Sequence, residues 1–214
     1  KAKKERPKLI KKMKQKEQNN TVLEKRHFSA TIKRASSDSR TVEGVAAIIG
    51  SRYNMGWYDE VISEGAFTEA LKNSDIRALV NHDANKLLAR TSSGTLEVWV
   101  EGKELKYKFE SPNTRDGDDL LELLDRGDLK ESSFAFTIER QRWESIDHGK
   151  DAPKRWEEIR HIEEFKIIYD VSPVTYPANP DTSVAKRSFE QYKEENKPSN
   201  TIPLSVYERE LELY

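Results

Sequence analysis

Three short runs carry side chains that can work together as nucleophile, base and orienting acid. They are Leu129–Ile138 with Ser132 and Ser133, Val80–Asp83 with His82, and Tyr169–Pro177 with Asp170. A serine hydroxyl attacks a carbonyl only when a base takes its proton. A neutral imidazole does that near physiological pH. A carboxylate on the far ring nitrogen holds the imidazole in place and stabilises its charged form. The chain order here is His, Ser, Asp, and unrelated folds reach the same geometry in different orders.

In the serine run, Phe134, Phe136 and Ile138 alternate with Ser133, Ala135 and Thr137. A strand would turn the first set to a core and the second to the opposite face. Ser132 is adjacent, and pattern alone leaves both serines open. His82 is the histidine that ends an apolar, strand-like run, Ile76–Val80. Asp83 follows it directly and is poorly placed to orient the same ring. Asp170 lies near the end of a run containing Ile167, Tyr169 and Val171. A carboxylate so close to an apolar strand needs a partner, because an unpaired buried charge is costly. Glu164 and His161 on the same run are further candidates for the third member.

Other chemistries find little support. The chain has no cysteine, so disulfides and thiolate catalysis are excluded. The four histidines (His27, His82, His148 and His161) have no ligand-like spacing, and no metal site or cofactor is expected. No phosphate loop or dinucleotide turn is present. No apolar run reaches the length of a membrane span. The start is basic, but no apolar segment follows it, so no secretory signal is expected. Hydrophobic and charged residues each make up 35% of the chain, and the net charge is −1. That balance predicts a compact core flanked by solvated arms.

The elements that must position the three groups follow from periodicity. Residues 1–21 form a lysine-rich arm, 22–188 a folded domain, and 189–214 a polar tail. Strands are expected from Phe28, over Thr41–Ile49, Ile76–Val80, Thr95–Glu101, Glu104–Glu110, from Ser133 to about Trp143, and over His161–Val171. Gly102-Lys103 suits a two-residue hairpin turn. Helices are expected over Gly65–Lys72 and Asp116–Asp125, the second with acids in its first turn. The sum is mainly β with peripheral α-helices (α+β). Several antiparallel hairpins predict a closed or nearly closed β-barrel, which removes exposed edges.

Taken together, the runs resemble the prohead (capsid maturation) serine proteases of tailed bacteriophages. The matching segments include Thr41–Ala46, Glu64–Phe67, Arg77–Asp83, Ala89–Thr91, Ser93–Leu96, Asp118–Leu123, Ser133–Phe136 and Asp170–Ala178, in the family's order. The resemblance implies an antiparallel barrel like that of the herpesvirus assembly protease. It also implies an endopeptidase acting in the host cytoplasm, inside the assembling prohead. Its substrates would be scaffold protein, the scaffolding arm of the major capsid protein, and itself. By motif, His82 matches the family's histidine, Ser133 its nucleophile, and Asp170 the third member. The family's run around the nucleophile carries glycines where this chain has Glu131 and Ala135. Those two changes motivate an alternative, a non-enzymatic capsid-assembly or scaffold-binding module. A small-molecule esterase lacks the Gly-x-Ser-x-Gly elbow. The basic arm is a candidate tether; without aromatics it lacks the stacking platform of a nucleic-acid binder.

Overall fold

A computed structural model describes residues 20–150, 153–176 and 182–196 of the chain. The expected basic arm lies outside the described residues up to position 19, and the polar tail does so from position 197. Among the described residues there are ten strands and three α-helices. They run β1 (Asn20–Arg34), β2 (Thr41–Ile48), β3 (Arg52–Asn54), β4 (Asp59–Ile62), α1 (Thr68–Asn73), β5 (Arg77–Val80), β6 (Asp83–Arg90), β7 (Leu96–Glu101), β8 (Glu104–Glu110), α2 (Arg115–Asp125), β9 (Glu131–Asp147), β10 (Trp156–Val174) and α3 (Thr182–Glu195).

Local signals account for several of these elements. Gly102 adopts a positive φ of 59° at the first position of the β7–β8 turn, where a side chain would be strained. Thr114 caps α2, its hydroxyl accepting from the Gly117 amide, and Asp116 and Asp118 follow in the first turn. Leu120 and Leu121 of α2 are buried. Neither candidate helix expected from the sequence includes α3. It packs Ala185 and Phe189 against Met55 and Tyr58, and Tyr192 stacks on Trp143 with ring centroids 4.5 Å apart. No described helix is long and apolar enough to cross a membrane.

The α+β composition is as expected, but the closed or nearly closed barrel is not. The strands follow one open path, β3-β4-β10-β9-β1-β2-β8-β7, with β5 and β6 branching from β10. Among the described residues no pairing joins β3 to β7. The sheet is also not purely antiparallel, since β4 and β5 both lie parallel to β10. The reason lies in the two longest strands. β10 has 19 residues and β9 has 17, and their ladder carries four register shifts. Such irregularities bend a strand. β10 therefore offers one stretch, Ile159–Ile162, to β4 and another, Asp170–Val171, to β5. Its free side is spent on a branch rather than on closure. The open edge at β3 is only three residues long, a length that limits pairing with other chains.

β1 bridges two parts of this sheet. Residues 20–31 pair with β9, and Ile32–Arg34 pair with β2. The main core gathers Phe134, Phe136, Phe165 and Phe67 with aliphatic residues from β2, β5, β8 and α2. Phe67 stacks on Phe165 at 4.5 Å between centroids. The strands that carry Ser133 and Asp170 are thus anchored on one face by an aromatic cluster.

Candidate active site

His82 sits in the two-residue turn between β5 and β6, where Val80 pairs with Asp83. Asn81 and His82 have φ of 55° and 58°, and among the described residues they are the two non-glycine positions with positive φ. Positive φ at both central positions is the hairpin turn that follows strand twist. Asparagine and histidine are among the non-glycine residues that adopt it most often, and such left-handed positions cluster at functional sites. The turn is stapled to the end of β10. The Asn81 amide donates to the Pro173 carbonyl at 2.9 Å, and the Thr175 amide donates to Asn81 Oδ1 at 2.8 Å. Asn81 Nδ2 adds a bond to Thr175 Oγ1 at 3.1 Å. Asp83, the sequence neighbour, accepts from Asn85 and serves the turn rather than the imidazole.

The imidazole lies between the other two candidates. His82 Nδ1 is 2.6 Å from Asp170 Oδ1, and His82 Nε2 is 2.8 Å from Ser133 Oγ. A carboxylate only accepts, so Nδ1 carries the proton and Nε2 is left as the acceptor. Asp170 stands on β10 opposite Ala135 of β9 and beside Arg77 of β5. The Ser172 hydroxyl donates to the same Asp170 Oδ1 at 2.6 Å. Both residues are buried. Ser172 escaped the sequence reading, although its spacing of two from Asp170 puts both on one strand face.

Of the adjacent serines, only Ser133 meets the imidazole. Ser132 points to the other face, where its hydroxyl lies 2.6 Å from the Tyr107 hydroxyl. Burial pushes the Tyr107 phenol well above its usual range, against the opposing effect of that bond. Tyr107 occupies the space over Gly44, where an added Cβ would stand 2.4 Å from the ring. The other two residues considered for the third position lie elsewhere on β10. His161 Nε2 is 3.0 Å from Glu144, and Glu164 pairs with Arg140 at 2.9 Å.

The site is covered. Ser133 has no exposed surface, and the side chains of His82 and Asp170 are 7% and 9% exposed. β1 runs alongside β9 in the sheet, and its Arg26 carbonyl accepts from Ser133 Oγ at 2.9 Å. A serine hydroxyl has a single hydrogen. It goes either to Arg26 or to His82, so the neighbouring strand competes directly with the base.

Beneath β1 lies a buried charge network. Arg26 grips Glu60 through Nε at 2.6 Å and Nη2 at 2.8 Å, and its Nη2 also meets Glu24. Arg160 grips Glu24 at 2.8 and 2.9 Å and reaches Glu60 at 3.1 Å. Arg160 Nε donates to Gln141 at 2.6 Å. Burial raises the Glu24 pKa, but the Arg160 and Arg26 guanidiniums outweigh it and hold the carboxyl at about 2. Burial likewise opposes the charge on Arg26, yet Glu60 and Glu24 keep it firmly protonated. Buried ions are tolerated when paired and hydrogen-bonded in this way.

Residues 28–195 of the chain match the family model described as caudovirus prohead serine protease. No curated protein and no solved structure matches it.

Proposed function

The chain belongs to the caudovirus prohead serine protease family, and on that premise we propose that Ser133, His82 and Asp170 are its nucleophile, base and orienting acid. The observation that carries this reading is the two-sided imidazole: 2.6 Å to a carboxylate on one nitrogen and 2.8 Å to a hydroxyl on the other. His82 Nε2 takes the Ser133 proton as Oγ attacks a peptide carbonyl. Asp170 stabilises the imidazolium that results, and the same ring then protonates the leaving amine. Water, deprotonated by the ring, releases the acyl group. Ser172 positions the Asp170 carboxylate without touching substrate.

The family's role is capsid maturation, which puts its members' work in the assembling prohead within the host. The substrates proposed for this chain are scaffold protein, the scaffolding arm of the major capsid protein, and its own chain. The segments before 20 and after 196 would act as tethers that carry the enzyme into the shell. Co-expression with the cognate capsid protein tests the assignment. Ser133→Ala is expected to abolish processing while Ser132→Ala retains it. Continued processing by Ser133→Ala would reject Ser133 as the nucleophile.

The full burial of Ser133 favours a second reading, a non-enzymatic assembly module on the same fold. A fluorophosphonate that labels Ser133 in the folded chain would reject it.

A further inference from the structure

Residues 22–27 of β1 lie as an extended peptide along the edge of β9. They add an antiparallel strand to β9, with Glu24 opposite Phe136, Arg26 opposite Phe134 and His27 opposite Ser133. Strand addition of this kind draws affinity from main-chain bonds and specificity from pockets for alternate side chains. Both features are present. Glu24 and Arg26, two residues apart, project to one face, and each meets a built partner of opposite charge, Arg160 and Glu60. The intervening Lys25 lies opposite Ala135, in register with the Ser133 face. Leu23 and Val22 are exposed, as expected for residues outside the pockets. The Arg26 carbonyl meets the Ser133 hydroxyl.

The segment is also distinct from the rest of its strand. A register shift separates Phe28 from Thr31, after which β1 leaves β9 for β2. Residues before the shift can therefore leave β9 while Ile32–Arg34 stay paired to β2. Glu60 and Arg160 would keep each other as partners when the segment departs, since they already lie 3.1 Å apart.

We infer that residues 22–27 fill the peptide cleft of the proposed active site, and that Arg160 and Glu60 are its specificity residues. They select an extended peptide carrying an acid and, two residues on, an arginine whose carbonyl meets Ser133. The inference rests on the reading of Ser133 as nucleophile. It adds that the folded chain is latent until this segment is displaced.

Two full-length variants loosen the segment. Glu24→Ala combined with Arg26→Ala removes the pocket contacts, and Lys25→Pro puts the fixed φ of a proline, which strand interiors tolerate poorly, into the segment. Labelling of Ser133 by a fluorophosphonate is expected to be at least tenfold faster than in the parent chain, about the effect of 1.4 kcal/mol. In the double variant, the free peptide Val-Leu-Glu-Lys-Arg-His should slow that labelling again. Rates at or below the parent's in both variants would overturn the inference. So would loss of a cooperative melt in both, which would make the segment an ordinary core strand. A second measurement separates the cleft from the nucleophile. The double variant is combined with Ser133→Ala, and binding of the fluorescent peptide is read by anisotropy. Binding should weaken at least tenfold when the peptide's Glu and Arg are replaced by Ala. Binding without any labelling of the serine-bearing variant would retain the cleft and reject Ser133. Labelling without peptide binding would retain Ser133 and reject the cleft.

Discussion

Ser172 donates its hydroxyl to Asp170 at 2.6 Å, using the carboxylate oxygen that also faces His82. The two residues are neighbours on one face of β10, and Ser172 stands opposite Ser133 in the β9–β10 ladder. One strand therefore supplies both the acid and the group that orients it.

Ser172→Ala should leave the fold intact and slow peptide cleavage about tenfold, with kcat falling and KM unchanged. A hydrogen bond to a charged group is worth about 1.5–3 kcal/mol, and only part of that reaches the transition state. Steady-state kinetics on a purified scaffold or capsid-arm substrate would check it. An unchanged kcat would show that the carboxylate needs no second donor.

Asn81 holds a left-handed conformation and ties the His82 turn to Thr175. Asn81→Ala should destabilise the protein by about 2 kcal/mol, combining a left-handed backbone cost with two lost hydrogen bonds. Asn81→Gly should recover the backbone share but not the bonds. Urea midpoints of the two variants separate these contributions. Equal midpoints would mean that the backbone conformation costs nothing here.

Acid should loosen β1. The Glu24 carboxyl is lowered from 4.5 to about 2 in the folded chain. A depressed folded pKa contributes stability that is fully present above the unfolded value and lost as pH falls through the folded one. The loss is therefore expected between pH 4.5 and 2 and is on the order of 3 kcal/mol. Thermal melts of the parent chain against Glu24→Gln should show the shallower acid slope in the variant. Parallel slopes would remove Glu24 from the account.

Thr137 carries a buried hydroxyl oxygen that has no hydrogen-bond partner among the described residues. It lies within β9, two residues beyond Ala135 on the Ser133 face. Thr137→Val keeps the branched shape that suits a strand and removes an unsatisfied polar group, so stability should rise by about 1 kcal/mol. A lower urea midpoint in the variant would mean that the hydroxyl has a partner in solution.

Elements set by neighbouring residues were legible in one dimension. The β7–β8 turn followed from Gly102-Lys103, and α2 from its acids and leucines. The runs around His82, Ser133 and Asp170 stood out because each ends or begins an apolar strand. What long-range pairing decides was not legible. Several antiparallel strands with hairpins suggested a closed or nearly closed barrel, but closure depends on which edges remain free. β10 spends its free edge on β4 and β5. The third helix was missed because its apolar residues are few and gain meaning only against Met55, Tyr58 and Trp143.

The order of residues along the chain thus determined which chemistry was available: a hydroxyl, an imidazole and a carboxylate, each on a strand or in the turn at its end. Tertiary structure alone decided which of two adjacent serines meets the imidazole, that Ser172 shares the Asp170 carboxylate, and that β1 runs beside Ser133. The physical reason is register. Successive strand residues face opposite sides, so a shift of one position would exchange Ser132 for Ser133. Contacts between strand residues as far apart as Arg26 and Ser133, 107 positions along the chain, set that register here.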